Sequence, residues 1–307
     1  IAQRWQEQGM VGASTLSPQS SALLIPAFRA VYMRSGGARG VSLSSLPSLS
    51  SVLPNWSLTY TGLSRWEWLK KYFRSVSLRH AYRGIYTVGS FSSFAGWSGA
   101  DPDGLGLIRR EASDGSGALS SEASYTYDFT SVAFQESFYP LIGVDMTWHS
   151  GIGMTAQWRE SRGRVLNLAA YSLIESMTKE INVGLSYKVA DLSQLFRPRP
   201  RGGRRSRQRA GQAKKGVASS PKGLTLRTDY SLRNTATLIR SIQTGTAEAT
   251  AGQLEHRLRV TLDYDLSRLL GLKVYYDYSR QRPLVSTYAY PMATSSFGVS
   301  LRISLMN

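Results

Sequence analysis

Apolar and polar side chains alternate with a period of two along most of this 307-residue chain. The clearest case covers residues 257–266, where five apolar side chains alternate with five polar ones. Successive side chains of a β-strand point to opposite sides of its sheet, so this pattern predicts strands with one apolar face and one polar face. The segments run for about ten residues, which is the length that a tilted strand needs to cross a bilayer. The alternation therefore predicts transmembrane β-strands.

Comparable segments recur from Trp56 to the end of the chain. The strong ones occupy residues 76–88, 142–148, 152–159, 181–189, 224–233, 258–266, 272–278 and 297–305, and weaker ones surround Trp56, Leu168 and Ile239. Together they predict about eleven antiparallel strands, a number within the range known for transmembrane barrels. The chain is thus predicted to be all-β, with an irregular Ser-rich segment over residues 1–52 and an antiparallel transmembrane β-barrel wall over residues 53–307.

The composition is compatible with a membrane barrel and excludes other classes. The chain lacks a run of about 18 apolar residues and so has no candidate transmembrane helix. Its lack of Cys excludes thiolate metal sites and a Cys nucleophile. Aromatic residues are frequent, with 17 Tyr and seven Trp, and several lie near predicted strand ends: Trp148, Trp158, Tyr187, Tyr264 and Tyr278. This placement is typical of the girdles at membrane interfaces, although aromatic residues also favour strands in general.

The lengths of the connectors predict the orientation of the wall. Three long connectors, at residues 90–137, 191–222 and 282–295, are separated by even numbers of predicted strands and should leave the sheet on the same side. In outer-membrane barrels the long loops are extracellular and the short turns periplasmic. We therefore expect these connectors outside the cell and Asn307 in the periplasm. The predicted location is the cell outer membrane of a Gram-negative bacterium.

Residues 63–73 break the strand pattern. Their apolar positions follow helical spacing and basic residues cluster at the end, the positions being Leu63, Trp66, Leu69, Phe73, Lys70, Lys71 and Arg74. The sequence predicts one short amphipathic helix here, on the periplasmic side. This helix would either rest on the membrane interface or pack under the barrel as a structural turn.

Ten basic residues and no acidic ones lie between residues 197 and 222, and they account for much of the net charge of +17. They are Arg197, Arg199, Arg201, Arg204, Arg205, Arg207, Arg209, Lys214, Lys215 and Lys222. Interleaved Pro and Gly predict a disordered basic extracellular loop over residues 191–223. Because this basic stretch has no aromatic residue and joins two predicted membrane strands, nucleic acid is not an expected partner. Either it meets phosphate groups of the outer leaflet, or it is a solvated loop without a specific ligand.

The polar faces of the predicted strands carry charges of both signs. A barrel that exposes its apolar face to lipid turns its polar face toward a water-filled lumen. The residues predicted to face this lumen are Arg227, Arg233, Arg257, Arg259, Asp263, Asp265, Lys273 and Asp277.

Residues that could support enzyme chemistry are sparse. The three histidines, His80, His149 and His256, lie in separate segments and lack the spacing of a metal site. A hydrolase built on a barrel rim would need a His close to a Ser or an Asp, and no such arrangement is indicated. No nucleotide-binding or calcium-binding motif is present either. The sequence therefore predicts no enzyme, no cofactor and no metal site.

Several segments carry a more specific signal. The strongest is the box Pro54-Asn55-Trp56 with the following Tyr60-Thr61-Gly62-Leu63. Weaker ones are residues 24–32, 138–144, 179–187 and 229–234 with Thr237. Together they resemble the C-terminal region of the SprA/Sov family, the outer-membrane translocons of the type 9 secretion system of Bacteroidetes. The resemblance extends from about Ala22 to the end, whereas the Arg-rich insertion after Asp191 and the Ser-rich stretch 35–51 depart from the family pattern.

This resemblance implies a much larger barrel with a transport function. Members of the family are single-chain barrels of about 36 strands, of which this chain would supply roughly the last third. They pass folded cargo proteins through a wide, gated channel to the cell surface. The expected partners are outer-membrane lipid, secreted cargo proteins, a PorV-type partner barrel, periplasmic plug or isomerase-like proteins, and the remaining barrel strands outside this chain.

The pattern also allows two other interpretations. A complete small barrel of about ten to twelve strands would act as a porin, an adhesin or a membrane enzyme, and it would pair the strand at 296–305 with the strand near Trp56. A soluble β-sandwich would need the apolar faces to be buried against each other. The chain begins at Ile1 with a polar stretch instead of a signal peptide, so a processed product or a fragment is expected.

Overall fold

The computed structural model describes residues 18–33, 44, 46–47, 54–99, 105–111, 119–189, 223–265, 270–285 and 290–303. Within these ranges the chain is predominantly β-structure, with one large antiparallel sheet, two small two-stranded sheets and a few short helices. The all-β antiparallel class predicted from the alternation is therefore confirmed.

The described residues form thirteen strands. In chain order they are β1 Trp56–Tyr60, β2 Phe73–Val88, β3 Phe91–Ser93, β4 Leu105–Glu111, β5 Leu119–Tyr125, β6 Tyr127–Phe129, β7 Ser131–Trp148, β8 Ile152–Asn167, β9 Ser172–Val189, β10 Leu224–Ser241, β11 Ala247–Asp265, β12 Leu270–Pro283 and β13 Met292–Ile303. Strands β3 and β6 pair with each other, as do β4 and β5, and both small sheets belong to the connector between β2 and β7. The other nine strands form the large sheet.

The large sheet has an up-and-down topology. Its strand order is β1-β2-β7-β8-β9-β10-β11-β12-β13, and each neighbouring pair is antiparallel. Among the described residues β1 pairs only with β2 and β13 only with β12. The sheet is therefore open within these ranges, and the pairing of β13 with β1 that would mark a small closed barrel is not formed.

The number of strands in this sheet is smaller than the predicted number of about eleven. Leu168 lies in the turn between β8 and β9, and Ile239 lies inside β10, so neither belongs to a separate strand. The real strands are correspondingly longer than predicted. Strands β9 and β10 each contain 18 residues and pair along their whole length, from Leu224 opposite Val189 to Ser241 opposite Ser172.

The strand ends define a base and a top of the sheet. At the base, β1, β7, β9, β11 and β13 end, and at the top β2, β8, β10 and β12 end. The connectors between β2 and β7 and between β12 and β13 therefore start and end at the top, whereas β9 ends and β10 begins at the base. The prediction that the long connectors share one side is wrong, because the strand predicted at Leu168 inverted the next two strands. The predicted extracellular location of loop 191–223 is incompatible with a periplasmic location of residues 63–73, since both connectors leave from the base.

Three short helical segments occur in the described ranges: α1 Ser21–Tyr32, a 3-10 helix η1 Gly62–Arg65, and α2 Glu67–Lys70. Helix α1 lies inside the segment predicted to be irregular, and the Ser20 hydroxyl caps it by accepting a hydrogen bond from the amide of Ala22 (3.3 Å). The single helix predicted over residues 63–73 is replaced by η1 and α2, and Phe73 already belongs to β2. None of the helices formed by the described residues is long and apolar enough to cross a membrane.

The main hydrophobic core lies at the top of the sheet, where α1 packs against the sheet and against the connector between β2 and β7. Its buried members are Ala22, Ile25, Phe28, Met33, Ala123, Tyr125, Phe129, Val132, Phe134, Leu166, Leu168 and Leu173. The core therefore covers one side of the sheet only near the top.

Tyr32 connects α1 to three strands. Its hydroxyl donates a hydrogen bond to Oε1 of Glu175 on β9 (2.7 Å), and the guanidinium of Arg164 on β8 lies 4.7 Å from the centre of its ring. Arg164 in turn donates a hydrogen bond to Glu136 on β7 (3.0 Å). Burial, followed by the hydrogen bond to Glu175, raises the pKa of Tyr32 to about 12. Polar contacts thus add to the apolar packing that holds this helix.

Candidate functional site on the two faces of the sheet

In the basal part of its C-terminal half, the register of the large sheet places the charged residues on one face. Residues directly opposite each other on neighbouring antiparallel strands share a face. Arg227 lies opposite Thr261, Arg259 opposite Asp277, and Asp263 opposite Lys273. By the same register, this surface, which we call the polar face, carries all eight residues predicted to line a lumen: Arg227, Arg233, Arg257, Arg259, Asp263, Asp265, Lys273 and Asp277.

An ion-pair cluster joins β11 and β12 on the polar face. Asp277 accepts two hydrogen bonds from Arg257, at 3.1 Å from Nε and 2.8 Å from Nη2. It accepts two more from Arg259, at the same distances. The arginine side chains are 45% and 50% exposed, whereas that of Asp277 is 19% exposed. One carboxylate therefore holds two adjacent guanidinium groups at the surface.

A second set of polar contacts extends across β2, β7, β8 and β9. Arg79 forms an ion pair with Asp145 (2.7 Å), which also accepts a hydrogen bond from the Thr155 hydroxyl (3.1 Å). Arg159 lies 3.9 Å from Glu180. These residues were not among the predicted site residues, although they occupy polar positions of the same alternating segments. The alternation alone could have identified them.

Between these two clusters the polar face forms a shallow groove of about 350 Å³. Its charged and amide lining comes from Gln157, Arg159, Asn182, Asp229, Arg257 and Arg259. Positive and negative groups are interspersed, and Gly184 adds no side chain. A surface of this kind binds water and presents both signs of charge.

The opposite face carries a broad apolar band in the basal half of the sheet. Leu185 and Ile181 on β9 are 45% and 46% exposed, and Phe297 on β13 is 69% exposed. The register assigns a set of exposed apolar residues from six further strands and from β13 to this band: Trp56, Leu58, Tyr60, Leu78, Ile142, Trp158, Leu226, Tyr230, Tyr276, Val299 and Leu301. An exposed apolar surface of this extent is typical of a membrane or protein interaction site.

The apolar band ends abruptly toward the top. On β8 the side chains after Trp158 on the same face are Glu160, Arg162 and Arg164. Arg162 pairs with Glu160 at 2.7 Å, and Arg164 pairs with a carboxylate of β7 at 3.0 Å. This face therefore changes from apolar to charged about halfway along the strand.

The three histidines have separate environments. The His80 ring lies 2.7 Å from the carbonyl oxygen of Leu141, and the His149 ring lies 2.9 Å from that of Lys70. The His256 ring contacts a tyrosine hydroxyl at 2.9 Å. Among the described residues no group of three or more His, Asp or Glu side chains is placed to hold a metal ion.

The ten basic residues predicted to form a loop, from Arg197 to Lys222, lie outside the described residues. The flanking residues Val189 and Leu224 are paired with each other at the base of the sheet. This connector therefore starts and ends at the same end of the sheet as the helical segment that joins β1 to β2.

No protein-family model matches the chain, and no curated protein matches its sequence. The function must therefore be inferred from the sheet itself, which has an uncovered apolar band on one face and interspersed charges on the other.

Proposed function

We propose that the large sheet is part of the wall of a transmembrane β-barrel, with the apolar band against lipid and the polar face toward a water-filled lumen. The observation that carries this proposal is the exposure of the apolar band across eight of the nine hydrogen-bonded strands. In water such a band would be costly, at about 25 cal/mol for each Å² of apolar surface. Acyl chains would cover it, and the paired strands already satisfy each other's backbone groups, as lipid requires.

The strand lengths support this placement. A tilted strand needs about nine to eleven residues to cross a bilayer. Strands β7, β9 and β10 have 18 residues each and β11 has 19. Their basal halves carry the apolar band, so their upper halves would project beyond the membrane. The charged residues after Trp158 and the core around α1 belong to this projecting part.

The connectors favour one orientation. In outer-membrane barrels long loops face outward and short turns face the periplasm. The top carries the connector between β2 and β7 with its two small sheets, whereas the base carries the tight turn at 149–151. We therefore place the top outside the cell. The basic connector between β9 and β10 would then start and end on the periplasmic side. This differs from the extracellular position that the sequence pattern of long and short connectors predicted.

The open edges favour a barrel larger than this sheet. Edge strands in lipid would leave unpaired backbone groups, each costing several kcal/mol. Further strands beyond β1 and β13 would remove this cost. From the open edges and the sequence resemblance to the SprA/Sov translocons, we propose that the sheet is a wall segment of the protein-conducting channel of the type 9 secretion system. A lumen face with both signs of charge suits the passage of folded cargo proteins, since it offers no extended surface of one charge.

The chain contains no Cys, so single labels can test which face meets lipid. We would introduce Leu258→Cys and Arg259→Cys separately, attach a nitroxide to this residue in the complete barrel in membranes, and measure its accessibility to oxygen and to a water-soluble nickel complex. The label at 258 should be accessible mainly to oxygen and that at 259 mainly to nickel. Equal accessibility of both labels to the nickel complex would refute membrane insertion.

The small-barrel alternative has its own test. In the complete barrel, hydrogen exchange in membranes should protect those amides of β13 that do not bond to β12, because a strand from outside this chain would pair with them. A cross-link between Cys residues introduced at Leu58 and Val299 would instead show that β1 meets β13. That result would overturn the larger barrel and support a complete small barrel acting as a porin, adhesin or membrane enzyme.

A further inference from the structure

The connector between β1 and β2 presents aromatic and basic side chains around one buried anchor. Leu69 is 8% exposed, whereas Trp66 and Trp68 are 51% and 63% exposed. Tyr72, which is 56% exposed, continues this aromatic surface. Four basic side chains are exposed beside it: Arg65, Lys70, Lys71 and Arg74. We call residues 65–74 the basal cluster; with Glu67 as its one acidic residue, its net charge is 4 − 1 = +3.

The basal cluster is held in place by hydrogen bonds from both sides. The Ser64 hydroxyl donates to the carbonyl oxygen of Val76 (3.1 Å) and accepts from the amide of the same residue (3.0 Å). The His149 ring, from the turn between β7 and β8, lies 2.9 Å from the carbonyl oxygen of Lys70. The exposed side chains therefore extend from a fixed backbone, which lowers the entropy cost of binding a surface.

The cluster lies where the apolar band ends at the base. Tyr60, the last residue of β1, belongs to the band and is 47% exposed, and the connector follows immediately. At this level of a membrane-inserted sheet, acyl chains give way to headgroups. Trp and Tyr prefer this boundary, and Lys and Arg gain about 1 kcal/mol each near an anionic surface.

We infer that the basal cluster is a docking surface for anionic phospholipids, with its tryptophans at the boundary between acyl chains and headgroups and its basic side chains on the lipid phosphates. The inference rests on the proposed membrane insertion and adds a preference for lipid charge. Charge complementarity selects anionic lipid over zwitterionic lipid, because a net charge of +3 faces the leaflet. The ends of the basic connector, Val189 and Leu224, lie at the same end of the sheet.

The test uses the complete barrel that contains this chain, in nanodiscs of phosphatidylcholine with or without phosphatidylglycerol, and counts retained lipids by native mass spectrometry. Lys70→Gln with Lys71→Gln should reduce the preference for phosphatidylglycerol roughly 30-fold, given the expected contribution of each lysine. The matched control removes two charges at the top, by Arg280→Gln with Arg282→Gln, and should leave the preference unchanged. Raising the salt concentration should weaken the wild-type preference.

A second pair of variants tests the aromatic part. Trp68→Ala should weaken retention of both lipids, whereas Tyr290→Ala, at a position that is 90% exposed near the top, should not. Inorganic phosphate added in place of phosphatidylglycerol should not stabilise the folded protein, since isolated phosphate lacks the acyl chains.

The outcomes separate this inference from the proposed function. If the chain inserts but retains both lipids equally, or if the control pair loses as much preference as the lysine pair, the docking surface is wrong and the barrel wall stands. If the complete barrel that contains this chain does not insert into any nanodisc, the proposed function itself fails.

Discussion

Arg259 lies directly opposite Asp277 across β11 and β12 and donates two hydrogen bonds to the same carboxylate oxygen, at 3.1 and 2.8 Å. Arg257, two residues away on the same face, shares this carboxylate. Two positive charges are therefore held side by side by a single negative one.

Asp277→Asn should destabilise the chain by about 1 kcal/mol, a value near the upper end for exposed ion pairs, because it leaves two guanidinium groups adjacent. Urea unfolding would measure the loss. Asp229→Asn is the control, since Asp229 also lies opposite Arg259 but forms no ion pair with it in the described structure. An equal loss in both variants would mean that the shared carboxylate has no special role.

The apolar band predicts that two neighbouring positions of β9 differ in their tolerance of a charged substitution. Leu185→Arg should cost about 2–4 kcal/mol in a bilayer, because it puts a charge against lipid, while Ser186→Arg on the polar face should change stability little. The measurement is urea unfolding of each variant in lipid vesicles. Because Leu185 is already 45% exposed, a band that faced water would tolerate both substitutions equally, and this result would contradict the proposed placement.

Tyr32→Phe removes the hydrogen bond to Glu175 and should cost about 1 kcal/mol at neutral pH. The pKa of Tyr32 is raised from 10.0 to about 12 in the folded chain, so its contribution is present below pH 10.0 and is lost as the pH rises toward 12. The stability difference between wild type and variant should therefore shrink over this range. Unfolding curves at several pH values would show it, with Tyr290→Phe at an exposed position as the control for the substitution itself.

Ser64→Ala removes both hydrogen bonds that tie the basal cluster to Val76. The Val76 amide donates one of these bonds, so its hydrogen exchange should accelerate several-fold. Mass-spectrometric exchange of the segment 64–76 would detect the change. Ser57→Ala in β1, an exposed position, should leave this segment as in the wild type. Unchanged exchange in Ser64→Ala would show that the cluster is held by Leu69 and His149 alone.

The faces of the sheet were predictable from the sequence because side-chain direction in a strand has a fixed period of two. Arg259 and Asp277 belong to different segments, yet both were assigned to the polar side, and the register brings them together. No knowledge of the neighbouring strand was needed for this assignment.

The strand ends were not predictable in the same way. On β8 the face that is apolar up to Trp158 continues with charged residues, so the alternation disappears while the strand goes on. The apolar Leu168 beyond them resembles the start of a new strand, but it lies in a turn and packs in the core. This single misassignment inverted the predicted direction of β9 and placed its connector on the wrong side.

Helix α1 carries two helical signals in its sequence. Ile25, Phe28 and Tyr32 follow helical spacing, and Ser20 is a good N-terminal cap. Pro26 in the middle disfavours an isolated helix, so the stability of α1 depends on its packing against the top of the sheet. Such tertiary contacts are not visible in a linear pattern.

The contacts of Tyr32 also restrict sliding between strands. A slip that keeps the faces of the sheet unchanged must move a strand by two residues, or about 7 Å. The hydroxyl of Tyr32 is bonded to Glu175 on β9 while Arg164 on β8 lies against its ring, so such a slip would separate one of these partners from the helix. The contacts of this one aromatic side chain therefore fix the register of β8 against β9 at the top of the sheet, beyond the end of the apolar band.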